Sequence, residues 1–354
     1  MYSQKNRITY IDGFRGFAIL LVLFFHAFTK WTTLVPYGGQ FSGIQLFNKG
    51  WLGVNLFFLI SGFVILMSLE KCLSFRQFII KRWLRLFPAM LVVTTLIYFS
   101  AILLPERPKG IPSLRDCLPG LLFVENSWVG FILPGKQGVL EGSFWSLFVE
   151  MKYYFIFGLL YFVAGKRNAL RIITILFIAA VIGLLIVPFS DSKLLYVLNL
   201  VMEQLSFIHL GWFATGSLIY EYSRDLSKKT LIQAQIVGLL SVFSMGIFCN
   251  YSSSVIMAAF IILYAFICVQ VWDKLKPLLT SRVLVYVGFV SYPLYLIHEN
   301  AMIALVIKLA KNAPFIPGIL LPVLPLALLL IISHLIATYA EPFLNKNLKR
   351  IMKQ

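Results

Sequence analysis

Charge is scarce in this chain, and negative charge is scarcest. Asp and Glu number 14 in 354 residues against 31 Lys and Arg, and charged residues make up only 13% of the whole. Soluble domains carry about a quarter, so an ordinary water-facing surface is excluded. Cysteine is equally sparse: Cys72, Cys117, Cys249 and Cys268 show neither metal nor redox spacing. Only Cys117 and Cys249 fall together on the outer side of the topology below, and no disulfide is expected of them. The four histidines have no neighbouring ligand partners, which argues against a zinc site, so no metal is expected. There is no sequence repeat, no pair of inverted halves and no low-complexity segment.

Apolar residues fill the space, at 60% of the chain with 32 Phe and 7 Trp. Successive runs reach the ~20 residues needed to cross hydrocarbon, at 8–29, 51–70, 86–104, 143–164, 171–189, 200–222, 231–249, 253–272, 283–304 and 316–339. The pattern predicts an all-α, polytopic transmembrane helical bundle of ten spans with no soluble domain. The net charge of +17 does not mark a nucleic-acid partner, because the basic residues alternate with the spans. One set of connections holds Lys5, Arg7, Lys71, Arg76, Lys81, Lys166, Arg167, Lys228, Lys229, Lys346, Lys349, Arg350 and Lys353 among others; the opposite set, with Lys30, Lys49, Lys109, Lys136, Lys308 and Lys311, is poorer. The richer side reads as cytoplasmic, which places both termini there and brings the basic residues to lipid headgroups. A charged motif interrupts the first apolar run and no small-residue cleavage site follows, so that helix is expected to stay. The longest connection, 105–142, is external; its apolar middle, Gly120 to Pro134, is too short to span and is expected to dip into the membrane or cover a cavity mouth.

Against this apolar background a few polar residues stand out. At about 100° per residue, Asp12, Arg15 and His26 share one face of the first helix. Each acidic or basic residue costs roughly 2.5–3.5 kcal/mol at mid-span on insertion scales, so the stripe lines a site or a pathway; a plain Asp12–Arg15 pair and a helix-bridging His26 are the structural alternative. The topology places His26, Asn55, Glu150, Tyr295 and His298 in one outer-half layer. Arg82 and Arg85 fall at the cytoplasmic start of the third span, where i, i+3 spacing makes either a two-pronged anion site or a topology anchor. From Arg15 to His26 the helix rises ~16 Å, comparable to an extended pantetheine arm.

These motifs, taken in order, resemble the integral-membrane acyltransferase 3 family, which includes bacterial O-acetyltransferases of cell-surface glycans. Tyr10-Ile11-Asp12-Gly13-Phe14-Arg15-Gly16 followed by His26 is similar to its opening motif, and Gly53 to Phe63 to its second-span signature. Arg82, Arg85, Phe87 and Pro88 match its Arg-x-x-Arg element, and Trp145-Ser146-Leu147-Phe148-Val149-Glu150 with Tyr153-Tyr154 its Trp-Ser-Leu-x-x-Glu segment. Ser291-Tyr292-Pro293-Leu294-Tyr295-Leu296-Ile297-His298 and the closing Glu341-Pro342 complete the series. The resemblance implies an acyltransferase domain over residues 1–345 with a short basic cytoplasmic tail at 346–354, in a bacterial inner membrane. It implies transfer of an acyl group, most often acetyl, from cytoplasmic acyl-CoA to a hydroxyl of a glycan or glycolipid acceptor. His26 would be the base or a transient acyl carrier, with Arg15 on the donor arm, oriented by Asp12, and Arg82 and Arg85 on the donor phosphates. Glu150 would position His26 or the acceptor; Trp145, Ser146, Tyr295 and Asn55 would line the acceptor side; Tyr292 and His298 read as structural.

Three positions depart from the family pattern. Asn55 stands where many relatives have Asp, and Met151-Lys152 follow Glu150 where Glu and Gln are common. No esterase-like extension follows the last span, so the domain is expected to work alone or to hand its product on. The competing class is a proton-coupled transporter or flippase, which would favour two symmetry-related interrupted helices; a scaffold without activity would leave the ionisable stripe unexplained.

Overall fold

A computed structural model describes residues 8–133, 135, 138–249 and 252–352, apart from the side chains of Phe248 and Cys249. Lys5, Arg7, Pro134, Lys136 and Lys353 of the reading above lie outside the described residues, as does the Cys249 side chain; Cys72, Cys117 and Cys268 are free thiols. Every regular element among the described residues is helical. The chain runs through α1 (Thr9–Phe25), α2 (Gly53–Leu69), α3 (Phe75–Ser100), α4 (Trp145–Ala164), α5 (Lys166–Ile186), α6 (Lys193–Gln204), α7 (Leu210–Asp225) and α8 (Lys228–Cys249). It continues through α9 (Ser253–Val271), α10 (Arg282–Asn312), α11 (Val323–Leu335) and α12 (Glu341–Ile351). Among the described residues, nine helices are long and apolar enough to cross a membrane, and α6 with the segment Phe207–Asp225 makes a tenth that is bent by 62°.

In hydrocarbon there is no hydrophobic drive between helices, so close packing and internal polar contacts must hold them together. The α1–α10 pair shows how close the packing is. A Cβ built on Gly288 would lie 1.8 Å from the Asp12 carbonyl oxygen, and one on Gly16 would lie 2.1 Å from that of Leu284. These two helices therefore touch backbone to backbone. The α2–α7 pair repeats the device at Gly62 and Gly216, whose Cβ atoms would meet the Phe213 and Leu59 carbonyls at 2.0 and 1.9 Å. Helix α1 is also packed on α2, and its first turns are held against α10 by glycine contacts with backbone.

The structure moves several expected boundaries. Helix α3 begins at Phe75 rather than near 86, because Ser74 caps it by accepting the Gln77 amide at 3.2 Å. Arg82 and Arg85 therefore sit two to three turns inside a helix, not at its start. The span expected at 200–222 is not straight: it breaks after Gln204, and Ser206 takes a left-handed backbone at φ 60°. Lys152 braces that break. Its buried ammonium donates to the Gln204 carbonyl at 2.5 Å and to Ser206 Oγ at 3.0 Å, and it pairs with Glu125 of the long loop. The last span begins at Val323 instead of 316, after a stretch containing Pro317 and Pro322, and continues through a π turn at Ile336–Ala340 into α12, which takes in the basic residues from Lys346 to Arg350.

The long connection folds onto the bundle as two short helices, Leu114–Leu122 and Asn126–Ile132, the first opened by a Ser113/Asp116 capping box. Its return to the bundle is clamped. Arg107, only 2% exposed in its side chain, donates to the Leu140 carbonyl and to Glu141 Oε1, both at 3.0 Å. Asn300 of α10 gives Glu141 Oε2 its backbone amide at 3.1 Å and its side-chain amide at 2.6 Å.

Candidate active site

Two polar clusters occupy the interior of the bundle. The first lines a cavity of about 80 Å³, several times the space one water needs. Arg15 of α1, Arg82 and Arg85 of α3, Ser61 of α2, Ser146, Glu150 and Tyr154 of α4, and Tyr292 and Tyr295 of α10 all line it. The i, i+3 spacing on α3 turns both of its arginines inward together. Arg82 lies over the rings of Phe78 and Tyr154 at 5.7 and 5.8 Å, and its buried Nε has no hydrogen-bond partner. Glu150 accepts from Ser61 Oγ at 2.6 Å and from the Tyr154 hydroxyl at 2.5 Å. Arg15 donates to Asp12 at 2.9 Å. Three guanidinium groups thus line a partly desolvated space with one carboxylate, Glu150, and Asp12 behind Arg15, an excess of positive charge suited to an anion with several oxygens.

The second cluster surrounds His26, the first residue of the π turn that ends α1. Such turns widen the helix and are frequent at functional sites. His26 Nδ1 is 2.9 Å from the Val22 carbonyl, and His298 Nδ1 is 2.8 Å from that of Tyr295. A carbonyl only accepts, so these partners assign the proton to Nδ1 in both rings. His298 Nε2 then turns its lone pair to His26 Nδ1 at 3.3 Å. What remains is His26 Nε2, buried, unprotonated and without a hydrogen-bond partner, with Glu299 Oε1 3.7 Å away. Lys30, one turn beyond His26, contacts the same Glu299 oxygen at 3.1 Å.

A polar thread joins the two clusters. Ser146 Oγ lies 2.7 Å from the Tyr295 hydroxyl, which donates to the Ser143 carbonyl at 2.9 Å. The Tyr295 ring sits 5.5 Å from that of His298, which meets His26 edge-on at 4.7 Å.

The expected site residues are therefore distributed, not pooled. Arg15, Arg82, Arg85, Ser146, Glu150 and Tyr295 share the cavity; His26, Asp12, Asn55 and Trp145 lie outside its lining. Glu150 keeps company with the arginines rather than with His26, whose neighbouring carboxylate is Glu299. Asn55 is buried near the start of α2, and Trp145, 44% exposed, packs on His209 at 5.4 Å and edge-on to Phe58 at 6.1 Å. The sequence reading passed over Glu299, Lys30, Arg107, Glu141 and Asn300. Glu299 carried a usable signal, since an acid in the middle of an apolar span is itself a flag for a site.

The profile of the acyltransferase 3 family, described as an acyltransferase domain, matches residues 8–340. The chain is similar to the O-acetyltransferase OatA of Staphylococcus aureus, 25% identical over 335 residues that cover 84% of this chain and 51% of that protein. It is similar to the peptidoglycan O-acetyltransferase OatA of Listeria monocytogenes, 28% identical over 218 residues, 55% of this chain and 32% of that protein. A putative acetyltransferase, ORF330, of Acidianus two-tailed virus is 24% identical over 301 residues, 83% of each chain. The chain spans about half the length or less of the two bacterial relatives. No solved structure matches it significantly. With a profile that runs from the start of α1 to the end of the last π turn, and ten helical crossings that carry its motifs into one interior, this chain belongs to the acyltransferase 3 family of integral-membrane acyltransferase domains.

Proposed function

We propose that this protein is a membrane O-acyltransferase that moves an acyl group, in the simplest case acetyl, from a CoA thioester to a hydroxyl of a cell-surface glycan or its lipid-linked precursor. The observation that carries the reading is the cavity in which Arg15, Arg82 and Arg85 outnumber Glu150, joined through Ser146, Tyr295 and His298 to the imidazole of His26. The donor phosphates bind Arg82 and Arg85 at the cytoplasmic side, as the positive-inside distribution orients the chain, and the arm runs along Arg15 toward the outer half. His26 Nε2 takes the proton of the acceptor hydroxyl as oxygen attacks the thioester carbonyl. The C–O bond forms, the C–S bond breaks, and the imidazolium returns the proton to the thiolate. The names of the Staphylococcus and Listeria relatives favour an acetyl donor, and that of the Listeria relative, a peptidoglycan O-acetyltransferase, favours a glycan acceptor.

The transporter reading asks for paired broken helices. Among the described residues there is one bent pair, α6 with α7, and it is braced by Lys152. The test is turnover of radiolabelled acetyl-CoA by the purified protein in detergent or proteoliposomes, with and without glycan. Release or transfer of acetyl that Arg82→Ala with Arg85→Ala suppresses supports the assignment. A protein that neither binds nor turns over the thioester is not an acyl-CoA-dependent transferase.

A further inference from the structure

His26 has an acidic neighbour that no part of the donor cavity supplies. Glu299 has no solvent exposure, and both of its oxygens are placed. Oε1 lies 3.7 Å from His26 Nε2 and 3.1 Å from Lys30 Nζ, while Oε2 accepts the Ser143 backbone amide at 2.6 Å. The preceding loop residue is glycine, and the fit is close: a Cβ on Gly142 would come to 3.0 Å from each carboxylate oxygen and press on it. The next residue on α10, Asn300, is held in the same way by Glu141, itself paired with Arg107. Glu141 and Ser143, on either side of Gly142, therefore hold the consecutive α10 residues Asn300 and Glu299 at the point where the carboxylate meets the histidine.

We propose that Glu299 is the positioning carboxylate of His26, with Lys30 as its resting counter-charge and the Ser143 amide fixing its place. The proposal rests on His26 acting as the base. With Nδ1–H committed to the Val22 carbonyl, an incoming proton must be taken at Nε2, and the imidazolium then faces Glu299 in a low-dielectric interior. Two ionised groups at this separation are within ion-pair distance, so the charge that develops on His26 is neutralised where it forms. In the resting protein Lys30 takes that part, so no unbalanced charge is stored. The titratable groups that face His26 are His298 and Glu299 from α10 and Lys30 from its own turn, with Lys109 on the far side of Trp31, 5.9 Å from that ring. The loop thus contributes to the site through the Ser143 amide, which fixes the orientation of the carboxylate that faces His26.

The experiment is steady-state kinetics on the purified full chain, with wild-type turnover read first. Wild-type protein without donor turnover removes the acyltransferase reading, and this proposal with it; an active wild type isolates the proposal. Glu299→Gln keeps an oxygen for the Ser143 amide and loses only the charge. It is expected to lower kcat by about tenfold or more with donor KM within about twofold. In a His26→Ala background the same change is expected to cost nothing further, because Glu299 acts through the histidine. Glu299→Asp keeps the charge and is expected to fall between wild type and Glu299→Gln. Lys30→Gln placed on Glu299→Gln removes the stranded ammonium and is expected to restore accumulation should the single variant fold poorly, and the kinetics are then read on that double variant. Wild-type kcat in the charge-neutral variants overturns the proposal, as does a loss of equal size with and without His26.

Discussion

The inner cavity and the outer cluster are both made of buried charged residues, yet they are balanced differently. Around the cavity three arginines face Glu150, and Arg82 keeps a buried donor without a partner. Around His26, Glu299 and Lys30 pair, and a step further out Arg107 and Asn300 both bond Glu141, although His26 Nε2 and Arg107 Nη1 are themselves buried without a hydrogen-bond partner. Desolvated charge is costly unless paired. A cluster with an excess of cationic groups suits an anionic ligand, and a cluster whose opposite charges pair with one another suits the holding of geometry. The difference fits the proposed division of binding and positioning between two layers, one on each side of the Ser146–Tyr295 contact.

The comparison is sharpened most by His26→Ala. Transfer is expected to fall by about 10²–10⁴-fold, the usual contribution of a placed acid–base group, with abundance in the membrane unchanged. Expression-matched activity above about a tenth of wild type would remove His26 as the base. Arg107→Met attacks the closed cluster at its outer edge. It strands Glu141 and is expected to destabilise the protein by about 3–5 kcal/mol, measured as an earlier thermal unfolding transition in detergent. An unchanged transition would break the idea that the outer layer is a structural clamp.

Arg82→Ala with Arg85→Ala makes the opposite test. The surplus layer should lose donor affinity by roughly tenfold for each charge-assisted contact, and lose the salt dependence with it, while thermal stability holds. A stability loss as large as that of Arg107→Met would show that the cavity is also a clamp. The smallest effect is expected at Trp145. Its exposed ring suits a sugar face, so Trp145→Ala should reduce transfer to glycan several-fold, about the value of one stacking contact, and spare donor hydrolysis. A parallel fall of both activities would return Trp145 to the core with His209 and Phe58.

Much of this was legible in the sequence. Ten apolar runs correspond, among the described residues, to nine helices able to cross a membrane and one bent pair, because hydrocarbon admits only segments that satisfy their own backbone, and length with composition decides which do. The common face of Arg15 and the Asp12 pair followed from helical phase, since α1 is regular as far as Phe25. Less was legible where cause was local and polar. Ser74 extended α3 back by a cap, and Ser206 broke α7 from α6; neither changes a hydropathy average. Glu150 was placed by depth alone beside His26, whereas its hydrogen bonds to Ser61 and Tyr154 turn it to the arginines.

By itself, then, the sequence determined the class of fold, the number of crossings and the residues able to carry chemistry, because those depend on residue type and on the period of one helix. Which carboxylate meets which base was decided only in three dimensions. Glu299 reaches His26 because Gly288 and Gly16 let α10 and α1 close to backbone contact, and because Gly142 leaves room for its carboxylate beneath the Ser143 amide. Those are distances between segments well over a hundred residues apart, and no periodicity along the chain encodes them.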